Sequence, residues 1–352
     1  MLRQLARLGR AVPSISPRAW TVAVYASAND DTVTAREAGF EGVACVDDAA
    51  RALELYGDLW RQTGLAWARR WCDGLLDFVL AMQDDDGRWV NFIRDWEGTP
   101  NREGRTSRAA ADSFWQARAM LALARTPEEL DDGRVAVALE RGLPHLLESS
   151  APSDVRSLHI LTVLALLARD DRPAWRAVLN GWCDELVACS RDGVLMNSVM
   201  ERGEPHLWAH FEESALADAS TVLARPPLLR AARRSADALY TDVVNSGFDR
   251  PSVSPFDVAT TCDAMRRVAM ASGEPAYLDL ARQARAWFDG RNPAGRAVYD
   301  RVKGRVADGI DDGRLNENSG AESNIVTAQA LFGDVLATAE RFDPALLGGP
   351  PA

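Results

Sequence analysis

Two carboxylates in this chain are placed where they could do chemistry. Asp48 heads the stripe Asp48, Ala52, Leu55, Tyr56, Leu59, and Glu322 heads Val326, Gln329 and Ala330. A carboxylate leading an apolar helical face is costly unless it meets a partner or a wet pocket. Two carboxyl groups sharing one pocket could flank a glycosidic bond, one giving a proton and one activating water. Glu322 is expected as the general acid and Asp48 as the base toward water, with Glu213 and Asp112 as reserve acids. A separation of about 6.5–9.5 Å predicts inversion and about 5–5.5 Å retention.

Other polar groups gather near the starts of the same class of helix. They include Asp47 and Arg51, Arg105 and Arg108, Asp154, Arg156 and His159, then His206, His210 and Glu212. Asp47 is also placed to cap its helix and to pair with Arg51 at i,i+4, and Asp112 to pair with Arg108 one turn away. The long connections 84–106, 191–211 and 291–319 bring Trp89, Asn91, Arg94, Trp96, Trp208 and Tyr299. Aromatic faces pack on the C–H faces of a pyranose, while carboxylates and amides bind its hydroxyls. Asp47, Arg51, Trp89, Asn91, Arg108, Trp208 and His210 are therefore candidate sugar contacts. His206 and His210 are four apart, a spacing that suits a metal on a helix, but Pro205 precedes them and no third ligand is specified. No metal or cofactor is expected. No P-loop, G-x-S-x-G or H-E-x-x-H occurs.

These groups need helices to hold them. Apolar spacing of three and four recurs along the chain. First helices of hairpins are expected at 44–63, 107–125, 153–169, 211–225, 254–272 and 320–340, and second helices at 65–83, 127–149, 173–190, 227–245 and 275–290. The first set is poor in charge, as buried helices are. The second carries stripes of Arg, Asp and Glu. That alternation predicts an all-α fold, an (α/α)6 toroid of about six hairpins with an inner ring wrapped by an outer one. GRWVNFI (87–93) and GVLMNSVM (193–200) read as small strands in the connections. One domain spanning 1–352 is expected, with 1–20 as a closing helix or an arm and 343–352 as a flexible tail.

Composition narrows the partners. In 352 residues, 51 acidic and 40 basic groups give a formal charge of −11. That argues against a nucleic-acid surface and against an anionic membrane. No apolar run approaches the roughly 18 residues a membrane span needs. Five cysteines, none in C-x-x-C, read as buried free thiols of a cytoplasmic protein. The Arg-rich, acid-free start suits a transit peptide in composition, but Leu2, Leu5 and Leu8 suit an amphipathic helix, which is the expectation adopted.

ACVDDAARALEL (44–55) resembles a D-D-x-A-R-A-L signature, and 287–323 resembles one running W-F-x-G-x-N, Y-D, D-G and N-x-N-x-G-A-E-S. Together they resemble bacterial six-hairpin glycosidase-like proteins, which often occur with glycosyltransferases and mannoside-processing enzymes. Asp47, Asp48 and Arg51 fit the first signature. Asn292, Asp300, Asp308, Gly309, Asn316, Asn318, Gly320, Glu322 and Ser323 fit the second. The resemblance implies the toroid fold and a carbohydrate setting, and adds Asp308, Asn316 and Asn318 as candidate substrate contacts. Ala49 and Asn324 depart from it, standing where a polar residue and Thr are usual, and are expected to alter substrate contacts.

The expected activity is glycoside hydrolysis of a neutral oligosaccharide. The alternatives are a sugar epimerase or isomerase in which His210 and His159 shuttle protons, and a glycan-binding protein whose carboxylates only bind hydroxyls.

Overall fold

The computed structural model describes residues 1–29 and 41–342. The expected tail at 343–352 lies outside the described residues. Among the described residues the chain forms thirteen α-helices: α1 Leu2–Leu8, α2 Val46–Thr63, α3 Ala66–Ala81, α4 Phe114–Arg125, α5 Gly133–Glu148, α6 Ser153–Arg169, α7 Pro173–Ala188, α8 Glu212–Val222, α9 Pro226–Asn245, α10 Pro255–Ser272, α11 Pro275–Arg285, α12 Ala321–Ala330 and α13 Phe332–Ala339. They fall into two compact units. The first comprises Met1–Ser149, Tyr299–Asp308 and the described residues from Glu317 onward, and the second comprises Ser150–Val298 and Gly309–Asn316.

In the first unit, α2 and α3 form a hairpin closed at Gly64, whose positive φ of 69° ends α2 in the left-handed region that favours glycine. Its core is aromatic: Tyr56 stacks on Trp71 with ring centroids 4.6 Å apart, and Trp20 meets Trp71 edge-on. The segment Phe92–Ile93 pairs antiparallel with Ala44–Cys45, which anchors the 84–106 connection against the start of α2. α1 packs on α12, buries Leu5 and Leu8, and Gln4 donates to the Ser319 carbonyl at 3.3 Å.

Three boundaries differ from expectation. The helix expected at 127–149 starts at Gly133, where the Asp132 side chain caps it by accepting from the Arg134 N–H. The helix expected at 107–125 starts only at Phe114, because Ser113 caps it by accepting from the Gln116 N–H at 3.2 Å. Ser107 is tied elsewhere, since its carbonyl and hydroxyl accept from the Asn91 and Phe92 N–H groups. The helix expected at 320–340 breaks at Leu331 into α12 and α13. Gly333, a weak helix former, lies two residues past the break.

The second unit holds the three hairpins α6–α7, α8–α9 and α10–α11. α6 is buried on every side from Ser153 to Val163, whereas α7 buries only Leu179, Trp182, Cys183 and Leu186. That contrast is the one expected between charge-poor first helices and charged second helices. α10 begins with a reciprocal cap, in which Ser254 accepts from the Asp257 N–H and Asp257 accepts from the Ser254 N–H. All five cysteines are buried and free. No helix among the described residues is long and apolar enough to cross a membrane.

Candidate active site

The first unit gathers charge at the start of α2. Cys45 caps the helix, its sulfur accepting from the Asp48 N–H at 3.4 Å and its thiol donating to Asp48 Oδ2 at the same distance. One turn on, Arg51 Nη2 lies 2.7 Å from Asp48 Oδ1 and 2.8 Å from Glu322 Oε2. The Arg51 and Asp48 side chains are 7% and 3% exposed, and that of Glu322 is 46% exposed. Burial pushes the Asp48 carboxyl up, opposed by the Arg51 charge. Burial would weaken the Arg51 proton, but Glu322, Asp48 and Asp47 outweigh it, so the guanidinium stays charged.

Asp48 and Glu322 are therefore brought together, as expected, but they are not lone carboxylates. Arg51 occupies the place assigned to water between them. Their bonded oxygens, sharing one nitrogen, lie within about 5.5 Å of each other, closer than the gap an inverting enzyme leaves for water. Asp48, with both oxygens engaged and almost no exposure, is not open to water. The expected Asp47–Arg51 pairing also needs correction. The structure pairs Arg51 with Asp48 and Glu322, and Asp47 Oδ1 with Arg118 Nη1 at 2.9 Å. Nothing local in the sequence links Arg118 to Asp47, since 71 residues separate them.

The start of α12 carries the second signature. Asp308 Oδ1 accepts from the Gly320 N–H and the Ser323 hydroxyl, both at 2.7 Å. Burial raises the Asp308 carboxyl to about 6. The Gly320 and Ser323 bonds oppose that rise, and Glu322's charge adds to it. Asn318 donates to the Tyr25 hydroxyl, a half-buried aromatic that the sequence reading missed. Asn324 is fully buried, donating to Ser319 Oγ and the Gly320 carbonyl and accepting from the Val306 N–H. Ala49 is fully buried as well.

The second unit has its own cluster. His210 Nε2 lies 3.1 Å from Glu213 and Nδ1 3.4 Å from Glu212, with Asn197 Nδ2 2.8 Å from Nδ1. The Ser235 and Tyr240 hydroxyls donate to Glu213. Every one of these side chains is buried. Burial drives Glu212 up to about 8, with His210 opposing. Burial would also raise Glu213, but His210 and the Ser235 bond outweigh it and hold Glu213 below the usual range. Burial would lower His210, yet its two glutamates lift it to about 9. Glu213 is thus ionised and sealed, which does not suit the reserve role of acid. Glu212 and Asn197 were not among the expected contacts, although Glu212 stands two residues after His210.

Further expectations change. His159 is buried, and burial with the nearby Arg156 lowers it to about 3, so it does not carry a proton near neutral pH. Trp89 is fully buried and donates from its indole N–H to the Val79 carbonyl, leaving no face for a sugar. Asn91 is spent on the backbone, accepting from the Asp47 N–H and donating to the Thr106 carbonyl. Arg108 and Asp112 are exposed in the irregular stretch before α4. Asn316 lies in the second unit and donates to Asp311 at 3.2 Å. Trp208 is exposed and stacks on His206, whose Nε2 is 3.3 Å from Asp154. Among the described residues no group of three or more His, Cys, Asp or Glu side chains is arranged to hold a metal ion.

No family model matches the chain. No curated protein matches it either. Solved structures do. A D-mannose isomerase aligns with a TM-score of 0.69 at 10% identity, over 96% of both chains. A sugar epimerase from a ruminal bacterium aligns at 0.68 and 12% identity, over 89% of this chain and 92% of that one. A GH76 α-1,6-mannanase from Salegentibacter sp. aligns at 0.65 and 10% identity, over 95% and 98%. At these identities the likeness shows the fold alone. These neighbours are six-hairpin glycosidase-like enzymes, and the chain has their all-α, (α/α)6 toroid fold class, as its helix pattern predicted.

Proposed function

We propose that the protein is a carbohydrate-active enzyme, and specifically a glycoside hydrolase of neutral oligosaccharides whose reacting carboxylate is Glu322. The supporting observation is the Arg51 bridge. Of the three side chains it joins, only Glu322 is open enough for a ligand to reach. The ion pair with Arg51 orients this exposed carboxylate, and a carboxylate so placed can take a proton from water or face positive charge at an anomeric carbon. This moves Glu322 from the expected acid to the base side of the reaction. Asp48 then positions Arg51 instead of activating water, and Arg118 holds Asp47 beside them.

A second reading has its own support. Two of the aligned structures are a D-mannose isomerase and a sugar epimerase, and His210 stands between the Glu212 and Glu213 carboxylates in a buried group that this reading requires to open to a sugar. This favours sugar epimerisation or isomerisation through His210. The two readings are separated by incubating purified protein with manno- and gluco-oligosaccharides and with their monosaccharides in deuterated water. The hydrolase reading expects new reducing ends and no deuterium on carbon. Deuterium at the carbon next to the carbonyl, without new reducing ends, would replace it with the second reading. Saturable binding with neither product would leave a glycan-binding protein.

A further inference from the structure

We propose that Asp308 is the proton donor to the leaving oxygen, with Glu322 as its partner carboxylate. This rests on the hydrolase reading above.

A hydrolase needs a second carboxyl group that can give a proton. Asp48 is closed to that role, since Arg51 holds one of its oxygens and the Cys45 thiol the other. Asp308 belongs to the same unit as Glu322 and is only partly buried. The two donors that fix it, the Gly320 N–H and the Ser323 hydroxyl, flank Glu322 in the chain. The carboxyl is thereby set at the first turn of α12, the turn that carries Glu322. Both bonds go to Oδ1, and Oδ2 takes neither. A Cβ at Gly320 would lie 2.8 Å from the Val24 carbonyl oxygen, too close for a side chain, and 3.5 Å from Asp308 Oδ1, an ordinary contact. The charged and titratable groups acting on Asp308 are Glu322, Arg305 and Tyr25. Its rise to about 6, caused first by burial, keeps it partly protonated close to neutral pH, as a donor requires.

The step balances as follows. The Asp308 O–H bond breaks as the glycosidic C–O bond cleaves. The C–O electron pair stays on the leaving oxygen, which takes that proton. The oxygen of water bonds to the anomeric carbon, and its proton passes to Glu322. One reducing sugar and one free alcohol result, and exchange with solvent returns a proton from Glu322 to Asp308.

The test compares wild type with Asp308→Asn on an oligosaccharide that the wild type cleaves and on an aryl glycoside whose dinitrophenolate leaves unprotonated. Donor loss predicts a fall of about 10²-fold or more in kcat on the oligosaccharide, less than about tenfold on the aryl glycoside, and disappearance of the basic limb of the pH profile. Equal losses on both substrates with the basic limb intact would overturn the proposal. Ser323→Ala guards against misfolding of the first variant. It removes a bond that favours the ionised carboxyl, so the basic limb should move to higher pH. An unmoved limb also overturns the proposal. If the wild type cleaves no glycoside at all, the hydrolase reading fails instead.

Discussion

Around Arg51 two carboxylates meet a guanidinium, and around His210 two meet an imidazole. The first group keeps one carboxylate half exposed, while the second is sealed on all sides. A guanidinium cannot give up its proton in a protein, so the charge that balances Asp48 and Glu322 is fixed. An imidazole can, so the protonation of His210, Glu212 and Glu213 is shared among three buried groups. The comparison teaches that a permanent counter-ion permits exposure and steady charge, whereas a titratable one makes the surrounding structure answer to pH.

Removing the fixed counter-ion should have the largest effect. Arg51→Met leaves Asp48 buried without its guanidinium and should cost about 3–5 kcal/mol in urea unfolding. The double variant with Asp48→Asn should recover much of that loss. A single variant as stable as wild type would mean that Asp48 is not balanced by Arg51.

In the sealed group, Ser235→Ala removes a donor to Glu213 and an acceptor of the Leu195 N–H. It should cost about 1–3 kcal/mol by the same measurement. A change too small to measure would show that the cluster relaxes freely.

The pH response is smaller. Burial lowers His210, but its two glutamates lift it to about 9 from 6.5, and burial lifts Glu212 to about 8 from 4.5. Both are raised, so from pH 6.5 to 8 the folded cluster holds more protons than the unfolded chain. Stability present below that window is therefore lost as pH rises through it, by an amount on the order of 1 kcal/mol. Unfolding curves at the two pH values should show the loss in wild type and less of it in Glu212→Gln, which removes one raised group and the larger of the two glutamate charges that raise His210. Equal or greater wild-type stability at pH 8 would contradict the assignment.

The smallest effect is expected at Trp208, which is exposed and stacks on His206. Trp208→Ala should shift the unfolding midpoint by less than about 0.5 kcal/mol. A larger loss would make the pair part of the second unit's core.

The helices were legible because their apolar period is local, and most of the hairpin helices fall within a few residues of their expected limits, the larger misses being the starts of α4 and α5 and the break at Leu331. At α4 the apolar pattern runs on backwards through Ala109, Ala110 and Ala111 past the Ser113 cap. Asp48 and Glu322 were found because a charge leading an apolar stripe needs an explanation. Their partner was not, since i,i+4 spacing favoured Asp47 for Arg51 and nothing local links residue 51 to residue 322. Trp89 reads as a sugar platform in the sequence because composition cannot distinguish a loop tryptophan facing solvent from one anchored by its indole N–H. The splitting of Glu212 from Glu213 was beyond a one-dimensional reading, as it depends on burial, on His210 and on the Ser235 hydroxyl reaching Glu213 from another element.

The central claim is that the half-exposed Glu322, held by Arg51, is the group that reacts with a sugar. The most direct test is the turnover of Glu322→Gln on an oligosaccharide that the wild type cleaves, with unfolding measured on the same samples. The account predicts a loss of about 10²-fold or more in kcat with the unfolding midpoint little changed, because the replacement is nearly isosteric and lies at a half-exposed position. Turnover equal to wild type in the folded variant would contradict it.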